Sequence, residues 1–120
     1  MKVTIEGLET YLEHHYGARA DDQGLFMKLV EEIGEVAEVL NQRSGRKAAD
    51  EPVFAERLGE ELADVLHYTI AIAAVNHLDL NDIILKKDKA ASIKYHHDVD
   101  LETFLGKEQS NNNDRITKSV

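Results

Sequence analysis

Residues 28–38, KLVEEIGEVAE, place four glutamates, Glu31, Glu32, Glu35 and Glu38, among apolar residues at helical spacing. Like charges three and four apart on a helix repel, each pair costing about 0.2–0.5 kcal/mol. At about 100° per residue, Leu25, Phe26, Leu29, Val30, Ile33, Val36, Ala37 and Leu40 gather on one broad face. Glu31, Glu35 and Glu38 form a separate stripe, and Glu32 falls at the edge of the apolar face, where a side chain can be partly buried and still reach a shared cavity.

Working outward, a helix beginning near Asp21 or Asp22 and ending near Gln42 contains this stretch. Before it, residues 4–16 read as a short helix with Thr4 as N-cap and Gly17 just past its end. After the polar connector RSGRKAADEP (43–52), a third helix runs from about Val53 to His77. Its second half, VLHYTIAIAAV (65–75), is apolar nearly all round, as suits a helix covered on several sides, including by another subunit. Asp79 and Asp82 have capping-box spacing and start a fourth helix to Tyr95. DVDLETFLG (98–106) adds a last turn or two. The polar KEQSNNNDRITKSV (107–120) reads as a disordered tail. The expected fold is all-α and four-helix-bundle-like, one domain over residues 1–106.

Composition narrows the function. With 120 residues the chain buries one modest core. The 14 basic against 23 acidic residues, net charge −9, disfavour a nucleic-acid polymer as partner. Without cysteine there is no disulfide, zinc–thiolate site or thiol nucleophile. The opening MKVTIEGLETYLEHH lacks the layout of a signal peptide, and no apolar run reaches the roughly 18 residues of a membrane span; the expectation is a soluble, cytoplasmic protein with no membrane partner.

A second acidic cluster lies in EELADVLHY (60–68). Glu32 and Glu35 are three apart, as are Glu61 and Asp64, so each pair shares one side of its helix. If the two helices pack, four carboxylates converge, and such a group needs protons or divalent cations. Mg²⁺, a hard ion taking carboxylate, water and phosphate oxygens, is the natural candidate, with Mn²⁺ as substitute. Tyr68, one turn beyond Asp64, either lines a pocket beside the carboxylates or is a core tyrosine. Lys28 either meets a phosphate or pairs with a glutamate. Asp64 and His67 share the acid-x-x-His spacing of di-iron bundles, but with one such pair His67 reads as a helix-packing residue. His96-His97-Asp98 resembles a metal-phosphohydrolase fragment without the further ligands that chemistry needs.

EEIGEVAE (31–38) followed by EELADVLHY resembles the paired ExxE and ExxD motifs of the MazG-like all-α nucleoside triphosphate pyrophosphohydrolases, a similarity running from about Leu25 to Tyr95. The resemblance implies Glu32, Glu35, Glu61 and Asp64 as Mg²⁺ ligands; a neighbouring carboxylate, Glu35 or Glu38, is then the candidate to accept the proton of the attacking water. It implies cleavage of a nucleoside triphosphate, a dNTP or a modified NTP, between the α and β phosphates, as nucleotide-pool house-cleaning. The family pattern K-x-x-x-N-x-x-[KR]-Y meets KDKAASIKY at Lys87, Lys94 and Tyr95 as triphosphate-binding residues, but Ala91 stands at the asparagine, with Lys89 or Ser92 as nearby substitutes. The apolar third helix predicts a homodimer or dimer of dimers. The competing reading is a non-catalytic helical module that binds a nucleotide or a protein.

Overall fold

The computed structural model describes residues 1–17, 21–43 and 51–118, with side chains through residue 115. Residues 44–50, most of the expected connector, and the final two residues of the expected tail lie outside that description. Five helices occur among the described residues: α1 (Ile5–Tyr16), α2 (Asp22–Arg43), α3 (Glu51–Val75), α4 (Leu80–Lys94) and α5 (Leu101–Lys118). No described residue is in a strand. The chain forms two compact units, Met1–Asp79 and a second from Leu80 onward, where one domain was expected over residues 1–106. Among the described residues no helix is long and apolar enough to cross a membrane.

Local chemistry sets the helix ends. The Gly7 N–H donates to Thr4 Oγ1 at 2.9 Å, and Gly17 follows α1 at φ 61°. Asp21 begins α2, its Oδ1 accepting from the Gln23 N–H at 3.1 Å. Pro52 is the second residue of α3, where a missing N–H costs nothing. Histidines close α3 and α4 in the left-handed region, His77 at φ 56° and His96 at φ 57°. In both places the following N–H reaches back five residues, Leu78 to Ala73 O and His97 to Ser92 O, each at 2.9 Å.

In the first unit α2 and α1 both pack on α3. α2 and α3 form an antiparallel hairpin, tied at both ends. Arg43 lies 4.7 Å from the Phe54 ring centroid and Arg57 donates to Gln42 at 2.9 Å; at the other end Asn76 donates to Asp22 at 3.5 Å. The facing positions repeat at spacings of four and three: Leu25, Leu29, Glu32, Val36 and Val39 on α2, and Phe54, Leu58, Glu61, Val65, Tyr68, Ile72 and Val75 on α3, all of them buried or half-buried. Leu12 on α1 is fully buried, and Ile70, Ala71, Ala73 and Ala74 are the buried residues in the second half of α3.

Two expectations change. The broad apolar face of α2 divides in two: Leu25 is buried, but Phe26, Val30, Ile33 and Leu40 are 44–54% exposed, because α3 covers only the seam about 100° away. Val39, outside the expected set, is buried instead. α5 runs on through Lys118 where a tail was read from residue 107. A firm N-terminus starts it: the Leu101 N–H donates to Asp88 Oδ2 at 2.6 Å, the Thr103 N–H donates to Asp100 Oδ1 at 2.8 Å, and Lys89 pairs with Glu102 at 3.0 Å. Beyond Gly106 the described side chains are all exposed, so this part of α5 rests on local helix propensity and its capped start rather than on a buried face.

A left-handed residue bearing Cβ is disfavoured relative to glycine. His96→Gly is expected to raise stability by about 0.5–1 kcal/mol, read as a higher urea midpoint at unchanged slope.

Candidate active site

Glu32 and Glu61 both stand in the α2·α3 seam, at positions filled elsewhere by leucine, valine or phenylalanine. Glu32 is therefore at the centre of the packed face rather than at its edge. One carboxylate oxygen each from Glu32, Glu61 and Asp64 lies within 4.8 Å of the others, Glu32 and Glu61 half-buried and Asp64 exposed. With every carboxyl ionised, Oε2 of Glu32 and Oε2 of Glu61 are buried without a hydrogen-bond partner among the described residues. Buried acceptors left unpaired are unfavourable, and three anions at this separation are more so.

The electrostatics follow. Glu61 is pushed up to about 7, first by the hydrogen bond it can donate to Glu35 when protonated, then by desolvation and the Glu35 charge, then by Glu32. Glu32 is also raised, first by desolvation, then by the charges of Glu35 and Asp64, against a hydrogen bond from Glu61 that lowers it. Glu35 is exposed and within hydrogen-bonding reach of Glu61, beside the group of three that Glu32, Glu61 and Asp64 form. The arrangement fits a hard divalent cation: oxygen donors only, two of them unpaired, open to solvent on the Asp64 side.

The other candidates are placed as follows. Glu38 is exposed on α2. Lys28 Nζ pairs with Glu31 Oε2 at 3.4 Å on the surface, the pairing alternative of its two readings. Tyr68 is half-buried in the seam, its ring edge-on to His67 at 4.9 Å. Lys87, Lys94 and Tyr95 belong to the second unit: Lys87 is exposed on α4, and Lys94 Nζ lies 5.4 Å from the Tyr95 ring centroid. Lys86 pairs with Asp82 at 2.9 Å. One residue escaped the sequence reading. The Tyr16 hydroxyl and His67 Nε2 are 2.7 Å apart, joining α1 to α3; no local pattern signals a contact across 51 positions.

Residues 21–92 match the family model described as the MazG nucleotide pyrophosphohydrolase domain, and the chain belongs to that family. The matched span contains both acidic motifs and Lys87; Lys94, Tyr95 and all of α1 lie outside it. Among curated proteins the chain is similar to dCTP pyrophosphatase 1 of Mus musculus, 37% identical over 68 residues, and of Rattus norvegicus, 38% identical over 68 residues. Each match covers 54% of this chain and 40% of the relative's length.

A carboxyl raised in the folded state holds its proton where the unfolded chain has lost it. The cation-free protein is therefore expected to lose stability as pH rises from about 4.5 towards 7. Calorimetry in EDTA should give a lower Tm at pH 8 than at pH 5.5, and Mg²⁺ added at pH 8 should raise it again.

Proposed function

We propose that this protein is a Mg²⁺-dependent hydrolase that converts a nucleoside triphosphate to the monophosphate and pyrophosphate. The observation that carries this reading is the meeting of Glu32, Glu61 and Asp64 in the α2·α3 seam with two buried oxygens unpaired. An apolar side chain at either seam position would pack better, so the carboxylates make sense with a cation between them. Family membership supports the reaction type. The name of the rodent relatives makes dCTP the first substrate to test.

In this reading Glu32, Glu61 and Asp64 hold the ion, with Glu35 completing the set. A divalent ion held there supplies positive charge against the triphosphate oxygens and acidifies the attacking water. Glu35, exposed and in reach of Glu61, accepts the water's proton; Glu38, three residues on along the same exposed stripe, is the second base candidate. Tyr68, one turn from Asp64, meets the nucleoside end. Lys87, Lys94 and Tyr95, on the second unit, follow the family's triphosphate pattern, and the two ammonium groups are suited to offset the charge of a pyrophosphate. Lys28 is held by Glu31, and an exposed pair of that kind is weak enough for a phosphate to displace.

We also infer self-association. The hairpin face turned away from α1 carries Phe26, Val30, Ile33 and Leu40 of α2 with Leu62 and Leu66 of α3, each 44–55% exposed. On α2 these residues, with Ala37, repeat at spacings of four and three, the spacing of a helix–helix seam. A second copy covers this face, as a dimer or a dimer of dimers.

Pyrophosphate release from dCTP is expected with Mg²⁺ and should disappear in EDTA. Glu61→Gln is expected to lower kcat/KM at least about 100-fold, the usual size of losing a group that stabilises developing charge, with unchanged helical circular dichroism. Binding of dCTP without turnover would instead favour the non-catalytic module. Ile33→Glu is expected to shift the protein to monomer in light scattering after gel filtration.

A further inference from the structure

Five aromatic side chains from two helices gather in the first unit, Tyr11, His15 and Tyr16 from α1 and His67 and Tyr68 from α3, and of these only Tyr68 has a place in the reading above. Their rings form a continuous series. Tyr11 stacks on His15 at 6.0 Å, His15 is edge-on to Tyr16 at 4.8 Å, Tyr16 is edge-on to His67 at 5.8 Å, and His67 is edge-on to Tyr68 at 4.9 Å. The short contact, 2.7 Å between the Tyr16 hydroxyl and His67 Nε2, is part-buried. A neutral imidazole has one donor and one acceptor nitrogen, so either tautomer completes this bond, and completing it fixes the ring plane.

On the α3 wheel Glu61, Asp64 and Tyr68 lie within about 60° of one another, and His67 stands on the Asp64 flank, turned towards α1. Tyr68 thus shares a face of α3 with the carboxylates, and its ring meets the His67 imidazole edge-on at 4.9 Å. Burial raises the Tyr16 hydroxyl pKa, with smaller contributions from the nearby hydroxyls of Tyr68 and Tyr11, which puts the three phenols in one electrostatic neighbourhood. A free phenol would have to be ordered each time a nucleoside arrived, and a fixed one would not.

We propose that Tyr16 and His67 are positioning residues: the α1 hydroxyl fixes the imidazole, and the imidazole edge fixes Tyr68 as a preset platform for the nucleoside end of the substrate. The inference rests on the pyrophosphohydrolase reading and adds α1, which lies outside the family match, to the site. It separates two roles along α3. Glu61 and Asp64 serve the phosphate end, and the Tyr16–His67–Tyr68 series serves the sugar and base.

The test pairs ring spectroscopy with kinetics. In carbon–proton spectra of tyrosine-labelled protein, Tyr16→Phe is expected to move the Tyr68 ring signals. With dCTP and Mg²⁺ it should raise KM about 3- to 10-fold, the size of one net hydrogen bond, and leave kcat within about twofold because the contact is remote from the reacting phosphate. In a Tyr68→Leu background Tyr16→Phe should then have no further effect on KM. His67→Leu should reproduce Tyr16→Phe. Unmoved Tyr68 signals overturn the proposal, as does a double variant whose KM effects multiply, and a lowered Tm with both readouts unchanged assigns the pair to helix packing alone. Absence of dCTP turnover in the wild type would count against the pyrophosphohydrolase reading, and the Tyr68 signals would still decide whether Tyr16 positions that ring.

Discussion

Two glutamates packed where a helix hairpin wants hydrocarbon are the constraint on which the rest of the first unit depends. Glu32 and Glu61 occupy matching seam positions of α2 and α3, with valines, leucines and phenylalanine above and below them along each helix. The apolar neighbours hold the helices together closely enough that the carboxylates cannot separate, and the carboxylates cannot all be ionised so close to one another without countercharge. The hydrophobic seam therefore does electrostatic work. It forces a choice between protons and a cation, and the raised Glu61 and Glu32 pKa values express the proton side of that choice.

The same hairpin sorts its remaining faces. One side of α3 receives α1, bringing Leu12 into the core and Tyr16 against His67. The other side leaves Phe26, Val30, Ile33, Leu62 and Leu66 exposed. A helix apolar around most of its circumference needs cover on more sides than one neighbour supplies. α3 finds two neighbours within the chain, α1 and α2, and its remaining apolar side chains stay exposed.

The second unit is built differently. Side chains fasten α4 to α5 by polar contacts: Asp88 caps the Leu101 N–H, Asp100 caps Thr103, and Lys89 pairs with Glu102. Asp100 is held below the usual carboxylate range, first by the side-chain and backbone hydrogen bonds from Thr103. This capping starts α5 as a helix although it buries little, and caps of that kind are not visible in apolar content alone.

Sequence by itself determined the all-α class, the helix starts at Thr4 and at Asp21 or Asp22, and the acidic motifs, because caps and i, i+3 spacing are local properties that need no partner to be read. Convergence of the acidic pairs was conditional in the sequence on the two helices packing together, and the packing of α2 on α3 brings Glu32, Glu61 and Asp64 together. Only the tertiary structure decided which of two adjacent α2 seams, Leu25-Leu29-Glu32 or Phe26-Val30-Ile33, turns inward. Both have the same spacing and similar apolar content, so the choice rests on what α3 presents. Tyr16 meeting His67 was likewise invisible in the sequence: a hydrogen bond between helices 51 residues apart depends on where α1 lies across α3, and no periodicity within either helix encodes that angle.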